Sequence, residues 1–242
     1  MKKILSIISA IVLLGSANVF SQDLQEILDN YFEVTGLEKV LETNSMIATG
    51  KAVQMGMEFP MSMYQKRPMK VRVEAEIQGM KMVQAFNGQD GWAIMPWTGS
   101  LEPQDMSPDQ VKGMKQSADM EGDLYNWQEK GFTLTLEGEE EMEGTPAFKL
   151  KLEKPDGDVF TYFLDAEDYV ILKVDAKVMV QGTPIETSSY YSNYKPVEGM
   201  IMPHSIETRM GGQVQMSLLI DGYEINPEIA DSMFEKSGNS PE

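Results

Sequence analysis

Met55-Gly56-Met57-Glu58-Phe59-Pro60-Met61-Ser62-Met63-Tyr64-Gln65-Lys66-Arg67-Pro68 places an apolar side chain at every second position from Met55 to Met63. On an extended chain that period puts the apolar residues on one face and the polar ones on the other, the pattern of a half-buried antiparallel strand. Val71, Val73, Ala75 and Ile77, alternating with Arg72, Glu74, Glu76 and Gln78, repeat it. Turn signals follow at Gly79, Asn87-Gly88, Gly138, Glu143-Gly144, Pro155-Asp156-Gly157-Asp158, Gly182, Glu198-Gly199 and Gly211-Gly212. Strand-like runs lie between them, near 80–86, 91–95, 131–137, 146–153, 158–164, 169–180, 184–194, 200–209 and 213–224. Short strands at regular spacing predict a mainly β fold: one large, highly curved antiparallel sheet or barrel.

Two segments break the period. From Asp23 to Leu41, Leu24, Ile27, Leu28, Tyr31 and Phe32 recur at three- and four-residue intervals, predicting an N-terminal amphipathic helix interrupted at Gly36. Within 96–130, Ser107-Pro108-Asp109-Gln110 reads as a helix start, and Val111, Met114 and Ala118 then share one face. A helix inserted between strands can plug or lid a curved sheet.

Ahead of all this, residues 1–21 read as a secretory signal. Lys2 and Lys3 precede an apolar run from Ile4 to Leu14, interrupted only by Ser6 and Ser9, with a cleavage point after Ser21. The run is too short to stay in a bilayer as a spanning helix, so an exported protein is expected. At the other end, Glu235 to Glu242 reads as a frayed tail.

The 242 residues are 42% hydrophobic and 24% charged, ordinary globular proportions. There is no cysteine, which excludes disulfides, thiol nucleophiles, iron–sulfur clusters and a lipidated cysteine. A net charge of −18 repels phosphate backbones and argues against a nucleic-acid partner. No nucleophile–base triad, His-Glu-x-x-His pattern or phosphate-binding glycine loop is present, so neither enzyme activity nor a cofactor is expected. His204, the single histidine, reads as structural, at a strand start. The acidic run Glu137–Glu143 lacks calcium-loop spacing and reads as a solvated hairpin tip.

The 20 methionines outnumber every aromatic type. Methionine is unbranched and polarizable and repacks around apolar partners of varied shape. Three readings stand: sealed core, a wall for flexible acyl chains, or thioether ligands for Cu(I), since Met-x-Met pairs recur. A second feature is Arg67. It keeps the parity of Met61 and Met63, so its guanidinium points to the apolar side unless a bulge near Pro68 swings it to solvent. Pointing inward, it could bond backbone carbonyls of a covering helix and act as a latch. Trp92, Trp97 and Trp127 are core or cavity rim.

Taken in order, Met61-Ser62-Met63-Tyr64-Gln65-Lys66-Arg67-Pro68, Arg72, Phe86-Asn87-Gly88-Gln89-Asp90-Gly91-Trp92 and Pro96 resemble the strand, Lys-Arg-Pro, Asp-Gly, Trp, Pro progression of LolA-like outer-membrane lipoprotein-sorting proteins. Tyr162-Phe163-Leu164-Asp165 and Tyr194-Lys195-Pro196-Val197-Glu198-Gly199-Met200-Ile201-Met202-Pro203-His204 extend the resemblance. Asn87 departs from it, standing where aspartate is usual, and so does the methionine content. The resemblance implies a half-open barrel lidded by helices, one lipid- or lipoprotein-binding domain over 22–235, and a tail at 236–242. It implies a monomeric periplasmic carrier that touches membranes only transiently, loaded by an inner-membrane release complex and emptied by an outer-membrane acceptor. Arg67 matches an arginine that bonds the lid in the closed form. Relatives that bind other lipids or sense envelope damage share the scaffold. The residues expected to hold ligand are Met57, Phe59, Met61, Met63, Val71, Val73, Phe86 and Trp92 on the sheet and Met114 on the lid.

Overall fold

The computed structural model describes residues 23–236. The leader stretch 1–21 and the tail from 237 lie outside the described residues. Two short helices open the chain, α1 (Leu24–Thr35) and α2 (Leu37–Glu42). Asp23 caps α1 by accepting from the Glu26 amide at 2.8 Å, and Gly36 ends it in the left-handed region. That glycine also touches the sheet: a Cβ there would sit 2.3 Å from the Gly199 carbonyl oxygen.

Strands follow: β1 (Ser45–Gln54), β2 (Met57–Lys66), β3 (Lys70–Ile77), β4 (Met80–Phe86), β5 (Gly91–Ile94) and β6 (Gln104–Asp105). Helix α3 (Pro108–Ala118) precedes β7 (Thr133–Met142), β8 (Thr145–Glu153), β9 (Val159–Asp165), β10 (Ile171–Val180), β11 (Thr183–Val197), β12 (Met200–Met210) and β13 (Gln213–Ile225). All thirteen form one sheet in the order β6-β5-β4-β3-β2-β1-β13-β12-β11-β10-β9-β8-β7, antiparallel throughout. The chain thus descends stepwise to one edge at β6, crosses to the other at β7, and returns until β13 pairs with β1. The sheet stays open between β6 and β7, and the connection that carries α3 spans that opening.

One face of this sheet is apolar along its length. Opposite partners share a face, so Ala48, Met63 and Val73 align across β1, β2 and β3, and Gly50, Met61 and Ala75 form the next row. On the far side, Leu134, Leu150, Leu152, Phe160, Tyr162 and Leu164 pack with Ile27 and Leu28 of α1 and with Leu124. Ile27 and Leu28 are fully buried there, each contributing roughly 1.5–3 kcal/mol of burial. Helix α3 covers the same face at the β3–β5 end, where Met114 and Ala118 pack on Val71 and Phe86. Ser107 and Gln110 close its first turn as a capping box.

Several expectations need correction. Met55 is not in a strand: with Gly56 it makes the β1–β2 turn at φ 52°, and β1, which precedes it, shows no apolar period. His204 lies inside β12 rather than at its start. The tail is held further along than Glu235: Glu235 accepts from Asn87 at 2.9 Å, and Lys236 pairs with Asp105 at 2.8 Å.

Candidate ligand channel and its latch

The inner face holds a groove because its rows alternate long and short side chains. Met61 and Met63 project from β2 while Ala48, Gly50 and Ala75 face them from the neighbouring strands. That mismatch leaves a cavity of about 160 Å³ lined by Met46, Ala48, Met61, Met63, Ile206, Leu218 and Tyr223, with no charged residue among its walls. Met202 and Pro203 separate it from a second cavity of about 240 Å³ under α1 and α2, where Phe32, Val40, Met120 and Tyr194 line the wall. Tyr31, Glu121, Ile171 and Tyr191 border both that space and a third, of about 300 Å³, that reaches Phe160 and Val174. The three spaces adjoin along the concave face, beneath the helices.

The phenols in this row stay protonated. Burial, with Tyr191 adding to it, pushes Tyr31 up to about 12, and burial pushes Tyr223 up to about 12 and Tyr191 and Tyr194 upward as well. Tyr194 Oη donates to the Ile171 carbonyl at 2.6 Å and Tyr223 Oη to the Pro203 carbonyl at 2.5 Å, so both present carbon to the groove with their hydroxyls satisfied. His204 packs edge-on to Tyr223 at 5.3 Å. Among the described residues no group of His, Cys, Asp or Glu is arranged to hold a metal ion.

Arg67 closes the helical cover. It leaves β2 just past Lys66 and keeps the inward parity of Gln65. Its Nε donates to the Thr43 carbonyl at 2.7 Å, its Nη2 to the Val40 carbonyl at 2.9 Å, and its Nη1 to Glu121. Val40 and Thr43 end α2, and Glu121 follows α3, so one guanidinium ties both covering segments to the strand. Burial pushes the Glu121 carboxyl up, but Arg67 and Asp119 together hold it below the usual carboxylate value. Asp119, half-buried and next to Glu121, is raised by that burial despite its 2.6 Å ion pair with Lys130.

Helix α3 is fastened across the opening of the sheet. Lys112 pairs with Asp156 at 2.8 Å and with the fully buried Asp158 at 2.6 Å, while Asp109 accepts from the Gln181 amide at 3.2 Å. On the opposite side Gln65 donates to the Ser117 carbonyl at 2.7 Å. The helix therefore bridges β2 to the β8–β9 and β10–β11 turns.

The ligand residues expected from the sequence fall into four places. Met61 and Met63 line the cavity. Val73 shares their face, and Phe59 continues their row toward the sheet edge, where Met57 is half exposed. Val71, Phe86 and Met114 are closed core beneath α3. Trp92 does not belong with them. It pairs with Ala85 on the opposite face, where its Nε1 donates to the Phe234 carbonyl at 2.9 Å and Arg72 lies 5.4 Å above its ring. The strand containing it begins at Gly91, and the hairpin register to β4 sets this face. Sequence reading missed β1 and β13 as cavity walls; for β1, Ala48, Gly50 and Ala52 at alternate positions were the available signal.

A half-open antiparallel barrel with a helical cover over an apolar inner face defines the class of fold, and solved structures place it more narrowly. Neither a protein-family model nor a curated protein matches the sequence. In structure the chain is similar to a LolA superfamily protein from Nitrosomonas europaea, with a TM-score of 0.57 at 16% identity, over 88% of this chain and 97% of that one. It is similar to an outer membrane lipoprotein-sorting protein domain from Vibrio parahaemolyticus, with a TM-score of 0.58 at 12% identity over 86% and 97%. A DUF1329 family protein from Desulfovibrio piger gives a TM-score of 0.58 at 13% identity over 88% and 99%. The chain has the LolA-like fold.

Proposed function

We propose that this protein is a periplasmic carrier that binds acyl chains of lipoproteins or other lipids along its concave face and sorts them toward the outer membrane. The observation that supports it most is the row of adjoining cavities, one of them without a charged wall residue, beneath a helical cover that Arg67 ties to β2. In this reading residues 22–235 form one binding domain, 1–21 is a cleaved export signal, and the protein works as a chaperone rather than an enzyme. Met61 and Met63 contact the chain, and Arg67 is the latch that opens when it enters. An inner-membrane release complex loads it and an outer-membrane acceptor empties it.

Burying each methylene contributes ~0.8 kcal/mol, so about ten of them offer at most roughly 8 kcal/mol before ordering costs. That corresponds to micromolar affinity at best, weak enough for hand-over to a slightly better site. The test is native mass spectrometry of protein purified gently from its own periplasm, followed by organic extraction. Co-purifying lipid or lipoprotein supports the carrier. An empty protein that also ignores a fluorescent acyl probe overturns it.

A further inference from the structure

Strand connections alternate between two rims formed by the strand ends, and the two-residue turns at these two edges differ in chemistry. The longer β8–β9 turn, with Lys154, Asp156 and Asp158, is the charged exception at the edge of the β1–β2 turn. At the edge carrying the β1–β2 turn, the hairpins β3–β4, β1–β2, β12–β13 and β10–β11 end in two-residue turns, Gln78-Gly79, Met55-Gly56, Gly211-Gly212 and Gln181-Gly182, with both residues at positive φ. At the other edge, β7–β8 and β11–β12 use the same backbone turn with Glu143-Gly144 and Glu198-Gly199. Identical turn geometry thus carries glutamate at one edge and uncharged residues at the other.

The contrast extends beyond the turns. Gln54–Met57, Gln78–Met80, Val178–Ile185 and Met210–Gln215 contain no charged residue, in a chain that is 24% charged and carries a net −18. Exposed apolar side chains concentrate there: Met55, Met57, Met80, Val180, Ile185, Met210 and Val214 at the tips, with Trp97 and Leu101 on the β5–β6 loop at the same edge. Met55 is 89% exposed at φ 52°, a conformation in which asparagine, aspartate or glycine is favoured over a bulky side chain. Neither the turn nor the core accounts for a methionine at that position.

We infer that this edge is a docking surface for a zwitterionic phospholipid bilayer, entered by the four hairpin tips. Neighbouring strands are ~4.8 Å apart, so tips on successive hairpins stand about 10 Å apart and the four span an arc of about 30 Å. Separate projecting points of this kind suit a fluid surface that closes around each one, whereas a second rigid copy would meet only the points. The tip residues are uncharged and enter the interface without stripping water from a charge of their own. Asp109 places a carboxylate against the β10–β11 tip at Gln181, so entry is deepest at the other three. An exposed tryptophan suits the headgroup level. The acidic body is repelled by anionic lipid, which selects a neutral surface. The row Met57, Phe59, Met61, Met63 runs from this edge down to the cavity, so docking here would put the groove against the lipid. The inference deepens the carrier reading and rests on it.

The test uses the protein as cells export it, with phosphatidylcholine vesicles, in a flotation assay, beside a quadruple variant Met55→Ser, Met80→Ser, Met210→Ser, Val214→Ser. The parent should float with vesicles, hold through added salt, and bind less when phosphatidylglycerol is mixed in. The variant should lose at least tenfold in partitioning while binding a soluble acyl probe as the parent does. A parent that does not float, or a variant that floats equally well, overturns the docking surface. So does a dimer that the four substitutions abolish, which would assign the tips to a second copy. Loss of probe binding by the parent in the absence of vesicles overturns the carrier reading instead, so the two failures are separable.

Discussion

Arg67 and Glu121, fifty-four positions apart, form an ion pair that joins the end of β2 to the segment after α3, while the same guanidinium holds the last carbonyls of α2. Two covering elements from different parts of the chain are therefore joined through one side chain, with Lys112 and Gln65 as further ties on α3. Hydrogen bonds to a charged group contribute about 1.5–3 kcal/mol each when the partner stays buried.

Arg67→Leu should loosen both covers at once. The expected outcome is faster uptake and faster release of a fluorescent acyl probe in stopped-flow, together with a lower denaturation midpoint. Arg67→Lys, a point donor that cannot span three acceptors, should fall between the two. Uptake and release rates equal to the parent's would show that Arg67 is no latch.

Acid should weaken the same pair. The Glu121 pKa is depressed below its ordinary 4.5, so its contribution to stability is fully present above that value and is lost as pH falls through the folded-state pKa. Asp119 is raised, so it has the opposite sign and favours the folded state increasingly as pH falls through its elevated pKa. Probe release should accelerate only below the ordinary carboxylate range. Glu121→Gln should remove that acceleration; an unchanged acid profile in this variant would detach the pH effect from the latch.

Ala48→Leu extends a side chain into the 160 Å³ cavity beside Met61 and Met63. Since there is space to fill, the stability change should stay within about 1.5 kcal/mol. Acyl-probe affinity should drop at least tenfold by fluorescence titration, and full affinity would place the chain elsewhere.

Trp92→Ala separates the two faces of the sheet. Its ring supports the C-terminal segment through Phe234 and Arg72, so truncation should cost roughly 3–5 kcal/mol in a denaturant melt. The folded fraction should bind probe as the parent does. A selective loss of binding would return Trp92 to the ligand wall.

Gly36→Ala tests the seat of the N-terminal helices. The new Cβ would meet the Gly199 carbonyl at 2.3 Å and occupy φ +77°, so about 1–3 kcal/mol of destabilisation is expected. Limited proteolysis should cut first within α1 and α2; unchanged stability and cleavage would mean that the hairpin yields to the contact.

Local signals carried the strands well. Alternation is a property of neighbouring residues, so β2, β3 and the hairpins from β7 to β13 were legible from period and turn residues alone, as were α1, its break at Gly36, and the start of α3 at Ser107. Parity aimed Arg67 inward, with solvent as its alternative; which carbonyls it bonds depends on α2 being folded back beside it. β1 escaped because its inner row, Ala48, Gly50 and Ala52, is too small to give an apolar period, although its smallness opens the groove.

What the sequence by itself determined is the alternation, the turn positions, the amphipathic helices and the excess of acid, all set by residues a few positions apart. Tertiary structure alone decided which face each strand turns inward, because one hairpin register placed Trp92 opposite to Phe86. It also decided that β13 returns to β1, that α3 bridges the opening between β6 and β7, and that four uncharged turns stand along one edge. Each of those depends on pairing between residues far apart in the chain, where no local period can reach.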